Sequence, residues 1–367
     1  MKNISLDIIK VKQPIGTIYV GKITPSLLLE MSTVDRRRIV EDDEVLGIQR
    51  DLKPEKVAQI KNYLSTIDAT FPNSIIVNTT SNYIINESDS KLLLEVNDST
   101  FTIIDGQHRV EGFRENILEN FELIVAIFKD LKIEQQANIF STINSQQTKV
   151  DPSHNLNLEL DSKVYTPIKM IIEIAQSFNF DKESPWANNI RLLGSGSKGI
   201  ISLSAFVKPI LNLVYPENDY YLIKNELNKI EEGKFPDFRN FNYKIDRYPF
   251  WEFYKRKDQK SIYKILYNFF KALSIILEKD WLNNASLLNK TTGYNATMKL
   301  FKNLFLIGLE NGDLSYDFFF TKLNGLKILN GTITTENFGA SGLKASNDLY
   351  LEMKKNINQH YNSNVTD

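Results

Sequence analysis

The stretch Phe101–Asn116, FTIIDGQHRVEGFREN, decides how the chain reads. Its opening residues, Phe101 to Ile104, favour a strand, while Val110, Phe113, Ile117 and Leu118 recur at helical spacing. Asp105-Gly106-Gln107-His108-Arg109 therefore sits where a strand ends and a helix begins. Unpaired N–H groups and the positive end of the helix dipole gather at such a junction and favour an anion. Gly106 lets the backbone turn tightly and approach a ligand, and His108 and Arg109 add a titratable and a permanent cation. Asp105 suits a helix cap, or a metal or water site. Strand–Asp–Gly–helix turns are also ordinary connectors in which Asp serves helix stability alone. From the pentapeptide by itself both readings stand.

Composition narrows the field around it. A chain of 367 residues can form two or three domains, and 42% hydrophobic with 24% charged residues is ordinary for a soluble protein. Lys and Arg (44) nearly cancel Asp and Glu (45), so any nucleic-acid contact must come from a local patch. The absence of Cys excludes disulfides, thiolate zinc sites and cysteine nucleophiles. Histidines at 108, 154 and 360 are too scattered to suggest a metal centre. The N-terminus lacks the apolar run of a signal peptide and no stretch reaches membrane-spanning length, so a cytoplasmic protein is expected.

In chain order, Leu6–Val11 and Ile15–Ile23 read as two strands turning at Gln13-Pro14. Thr24-Pro25 opens a short helix, and Pro54 opens another with Val57, Ile60 and Leu64 inward. Between them, Arg36-Arg37-Arg38 and Glu41-Asp42-Asp43-Glu44 read as a solvated loop or a mobile basic segment. Short strands follow at 74–77, 82–85, 91–96 and 100–104. The nearly all-apolar run Phe121–Phe128 reads as an interior strand. A helix over Glu134–Asn144 ends in a cluster of Asn144, Gln146, Gln147, Thr148 and Lys149. From about Leu156 the pattern turns helical. Gly194–Gly199 is a connector, since it lacks the order of a phosphate-binding P-loop. The expected fold class is α+β, with a mixed-sheet domain over 1–155 and a mainly α-helical domain over 156–367.

Arg239–Lys264 interleaves Arg247, Lys255, Arg256 and Lys257 with Tyr248, Phe250, Trp251, Phe253 and Tyr254. Cations for phosphates and rings for bases describe a nucleic-acid groove, and equally a helical core with a solvated face. The motifs of serine hydrolases, zinc proteases and dinucleotide folds are absent.

At Ile104–Arg109 the sequence resembles the DGQHR-domain family, whose best-known branch, DndB, is associated with phosphorothioate modification of DNA. Further matching motifs are Gln49-Arg50 before Lys56-Val57-x-x-Ile60-x-x-Tyr63-Leu64, then Phe71-Pro72-x-Ser74-Ile75, and Phe140-x-x-Ile143-Asn144-x-x-Gln147. Lys290-Thr291-Thr292-Gly293 matches a C-terminal feature more weakly, and coverage is densest over 1–155. The resemblance implies a ParB/sulfiredoxin-like fold, in which a Gly-and-Arg turn holds a nucleotide's phosphates. It implies nucleotide-binding residues Gly106, Gln107, His108, Arg109, Asn144, Gln147, Gln49 and Arg50. Arg109 would steady phosphate charge, His108 bond a phosphate or move a proton, and Asp105 orient Mg²⁺ or water. The implied cofactor is a nucleoside triphosphate, ATP first, with Mg²⁺ and no protein-built metal centre.

Three functional readings follow. The leading one is a nucleotide-binding protein with slow NTPase activity in a DNA-modification or phage-defence system. The second is a non-catalytic DNA-binding regulator using Arg247, Lys255, Arg256 and Lys257. The third is an interaction subunit docking its helical half to other proteins of that system, with self-association left open.

Overall fold

Alternating apolar residues make the first 23 positions a hairpin, β1 (Asn3–Gln13) pairing antiparallel with β2 (Gly16–Ile23). The computed structural model describes the chain except residues 1, 34–37, 40–44, 47–51, 116–119, 147–150, 194–197, 231–232, 340–341 and 364–367. Side chains at 38–39, 45–46, 144–146 and 361–363 also lie outside the description. Two compact units divide the chain, Met1–Lys149 and Val150–Asp367.

In the first unit the hairpin leads to α1 (Pro25–Glu30), with Pro at its first position. Next come β3 (Ser32–Thr33) and the short antiparallel pair β4 (Arg38–Ile39) and β5 (Val45–Leu46). Helix α2 (Pro54–Leu64) again starts on proline. Strands β6 (Ile75–Thr79), β7 (Ile84–Glu87), β8 (Lys91–Glu95) and β9 (Phe101–Asp105) precede α3 (Gln107–Gly112), β10 (Leu123–Lys129) and α4 (Ile133–Gln146). One mixed sheet results, ordered β3-β9-β6-β10-β2-β1-β8-β7. The apolar run does become an interior strand, β10, parallel to β6 and antiparallel to β2. Its Leu123, Val125 and Ile127 point into one core, while Phe128 packs on the other face with Ile139 and Phe140 of α4.

One element departs from the sequence reading. Helix α3 ends at Gly112 and Phe113 is its C-cap, so the helix has six residues. Val110 and Phe113 are buried as expected, but Ile117 and Leu118 lie outside the described residues.

Among its described residues the second unit is built of helices and loops, with one two-residue parallel pair, β11 (Ile190–Arg191) and β12 (Ile201–Ser202). Before that pair come α5 (Pro152–Asn157) and α6 (Pro167–Phe180), capped by the side chains of Asp151 and Thr166. After it, Ser202 caps α7 (Leu203–Leu211), followed by α8 (Tyr220–Asn228), α9 (Trp251–Lys255) and α10 (Gln259–Ile276). The chain closes with α11 (Glu278–Trp281), α12 (Thr291–Asn311), α13 (Tyr316–Leu323), α14 (Thr335–Phe338) and α15 (Leu343–Ser363). The expected stripe of α10, Ile262, Ile265, Leu266, Phe269, Leu273 and Ile276, is buried throughout. Among the described residues no helix is long and apolar enough to cross a membrane.

Helices α2 and α3 meet without room for a side chain at Gly112, where a Cβ would lie 2.4 Å from Cγ2 of Ile60. Gly112→Ala is therefore expected to cost about 1–3 kcal/mol of stability. Combining it with Ile60→Ala, which removes the clashing methyl, is expected to cost less than the two single losses together. Urea unfolding of the four proteins in that cycle measures the coupling.

Candidate functional site

The pentapeptide folds as the strand-to-helix junction, and its side chains divide between two tasks. Asp105 closes β9, and Gly106 occupies the N-cap of α3 at φ +101°. A Cβ there would lie 2.6 Å from the Cδ1 of Ile75, so glycine is required by close packing as well as by backbone conformation. Asp105 does not cap the helix. Its carboxylate accepts from Arg109 at 3.0 Å, and the same guanidinium donates to the carbonyls of Asn73 (2.7 Å) and Ser74 (3.2 Å). Arg109 thus ties the end of β9 to the loop that leads into the neighbouring strand β6.

His108 reaches the opposite way. Its Nε2 accepts the backbone N–H of Lys53, the N-cap residue of α2, at 3.1 Å. An accepting Nε2 requires a neutral ring with its proton on Nδ1. Burial, then the nearby charges of Lys56 and Lys53, hold the imidazole below its ordinary 6.5, against an opposing pull from Asp105.

These bonds join the stretches that matched the same family pattern. Gly106 and Arg109 seat Asn73, Ser74 and Ile75, while the Phe71 ring meets Phe113 edge-on at 5.9 Å. Tyr63, at the end of α2, donates its hydroxyl to the Thr70 carbonyl and accepts from the Thr70 N–H.

The other flank of α3 faces a cavity of about 290 Å³. Leu29, Leu52, Ile103 and Val110 give it an apolar wall. Ser32, Thr33, Gln107, Glu111 and Arg114 give it a polar one. Gln107 is almost wholly buried, and Arg114 pairs with Glu111 through two hydrogen bonds of 2.7 and 3.0 Å. Among the predicted residues that are described, Gln107 lines this space, and Asp105, Gly106, His108 and Arg109 are not among its described lining. Gln49, Arg50 and Gln147 lie outside the described residues, and so does the side chain of Asn144.

Ser32, Thr33, Glu111 and Arg114 were not anticipated. The helical spacing of Gln107, Glu111 and Arg114 was a usable signal, since residues three and four apart share a face. Ser32 and Thr33 carried none, because β3 joins them to β9 across the sheet. No group of three or more metal-capable side chains converges among the described residues.

In the second unit the interleaved rings of 239–264 belong to the core. Phe250, Trp251 and Tyr254 are buried, Trp251 donates to the Phe241 carbonyl, and Tyr254 donates to the Tyr165 carbonyl. Lys255 pairs with Glu252 at 2.6 Å, while Arg247, Arg256 and Lys257 are exposed. Gly293 of the Lys-Thr-Thr-Gly stretch is a packing glycine, since a Cβ would meet the Leu287 carbonyl at 2.2 Å.

A sheet unit with a braced strand-to-helix turn, followed by a helical unit, is the class of protein this architecture defines. The family described as DndB, DNA-sulfur modification-associated, matches residues 6–262, more than two thirds of the sequence. The chain belongs to that family. The match runs past 155 into the helical unit and stops short of Gly293. No curated protein matches. Among solved structures, the C-terminally truncated chromosome-partitioning protein ParB from Caulobacter crescentus, complexed with CTP-gamma-S, is similar at 14% identity. That match covers 58% of this chain and 88% of that one at a TM-score of 0.23, too slight to carry fold or ligand across.

The Arg109 brace has a measurable worth. Arg109→Lys leaves at least one carbonyl without its donor, and a loss of about 2 kcal/mol in urea unfolding is expected after allowing for partial exposure. The His108 contact sets a pH dependence. A folded value below 6.5 means its contribution is complete above that pH and is lost as pH falls through the lowered folded value. His108→Gln is expected to flatten the fall in thermal midpoint of the wild type below about pH 6.5.

Proposed function

We propose that this DndB-family protein binds a nucleotide in the cavity beside α3 and serves a DNA-modification system through that binding. The observation that carries the reading is the cavity's composition. An apolar wall of Leu29, Leu52, Ile103 and Val110 suits a base, and the hydroxyls and amide of Ser32, Thr33 and Gln107 suit base and ribose edges. Arg114 supplies the cation of the described lining for a phosphate tail, and its pairing with Glu111 leaves that lining without net charge. ATP with Mg²⁺ is the ligand tested first, with CTP beside it.

Binding without turnover is the form proposed. The three side chains proposed for hydrolysis, Asp105, His108 and Arg109, make hydrogen bonds within the unit, and we assign them to positioning α3. Isothermal titration against ATP, CTP, GTP and their deoxy forms is expected to find at least one ligand. Arg114→Ala, at a mostly exposed position, is expected to weaken it about tenfold, the loss of one charge-assisted contact. No heat with any nucleotide would sink the reading. Phosphate release at background, unchanged in His108→Ala, is the expected result for a binder. A rate that collapses in that variant restores the hydrolytic role.

A second reading, DNA contact by the helical unit, has its own support. Arg247, Arg256 and Lys257 are exposed and form no ion pair among the described residues. Docking to other proteins of the modification system remains compatible with either reading.

A further inference from the structure

We propose that the corner between α9 and α10 holds the phosphate backbone of duplex DNA, through Arg256, Lys257, Lys260 and Lys264. This rests on the DNA reading above and assigns it a surface. Lys257 is the informative residue. The Lys257 N–H donates to the Tyr254 carbonyl at 2.8 Å, and the Asp258 N–H donates to the Phe253 carbonyl at 2.9 Å. That bonding closes a helix with a left-handed residue, the position where glycine is favoured. Lys257 occupies it at φ +54°. Among the described residues the other non-glycine positions with positive φ are Asp130 and Asn188, residue types that tolerate this conformation. The corner therefore keeps a cationic side chain against a local backbone cost.

The neighbouring cations are oriented without being neutralised. The Arg256 guanidinium stands 5.5 Å from the Phe253 ring, and the Lys264 ammonium stands 5.5 Å from the Tyr267 ring. Lys260 and Lys264 are exposed one turn apart on α10, about 6 Å along its axis, and so share one face of the helix. The carboxylates nearby have other partners. Glu252 takes Lys255, Asp258 accepts the Ser261 N–H, and Asp181 accepts the Tyr263 hydroxyl. Phe250, Trp251 and Tyr254 are buried, and the half-buried Phe253 and Tyr267 rings each carry a cation over one face, so the corner offers charge ahead of open ring surface for unstacked bases. The contact is thus with the backbone of duplex DNA and independent of sequence.

The test is fluorescence anisotropy of a labelled duplex against the full-length protein, between about 50 and 200 mM salt. In Lys257→Gly the thermal midpoint is expected to rise while DNA affinity falls. In Lys257→Gly/Lys260→Gln/Lys264→Gln, affinity is expected to fall at least roughly tenfold at the lower salt, and the slope of log K against log salt to shrink by roughly two to three. Lys208→Gln/Lys355→Gln, which removes ion-paired cations elsewhere in the unit, is expected to bind like wild type. A triple variant with wild-type affinity and slope overturns this surface, as does tighter binding of single-stranded DNA. If the wild type binds no duplex, the DNA reading falls with it, whereas the nucleotide titration stands apart.

Discussion

The guanidinium of Arg109 is the joint on which the first unit depends. Its hydrogen bonds gather a carboxylate at the end of β9 and two carbonyls ahead of β6. Those strands are antiparallel neighbours whose pairing shifts register between Ile76 and Val77. A ladder interrupted there needs another fastening, and a planar fork with several fixed donors can supply one where a lysine cannot. Gly106 completes the joint by letting α3 settle against Ile75. His108 then anchors the start of α2 to the start of α3.

Seen this way, a motif that looks like a ligand site can also be the scaffold beside one. Of its four side chains, His108 and Arg109 hold other parts of the chain in place, Asp105 braces Arg109, and Gln107 faces a cavity. Rigid support of that kind fixes the orientation of α3 and of the turn after it, and with them the positions of Gln107, Glu111 and Arg114. The pieces of the family pattern touch one another for the same reason: the 71–75 stretch and α2 are the surfaces that the turn braces.

The fold was legible where local chemistry is decisive. Proline at the first positions of α1 and α2, the apolar run of β10 and the stripe of α10 each determine an element by themselves. The length of α3 was not legible, because the helical spacing of Val110 and Phe113 persists after the helix has ended at Gly112. Nor could sequence spacing separate a groove from a core in 239–264, since rings interleaved with cations serve both. At the candidate site the strand-to-helix turn was readable, while the partners of its side chains were not. They lie between about 4 and 55 positions away, as the Asp105 and Lys53 contacts illustrate.

The order of strands in the sheet has a consequence for how the protein comes to exist. The hairpin of β1 and β2 leaves the ribosome before its sheet neighbours β8 and β10, which include residues 91–95 and 123–129. At about 5–20 residues per second, β10 emerges roughly 5–20 seconds after the hairpin. During that interval the apolar face of residues 6–23 has no sheet to complete, and closing it means joining segments about 100 positions apart. Synthesis, rather than the intrinsic speed of strand pairing, sets the earliest moment at which the N-terminal sheet can assemble.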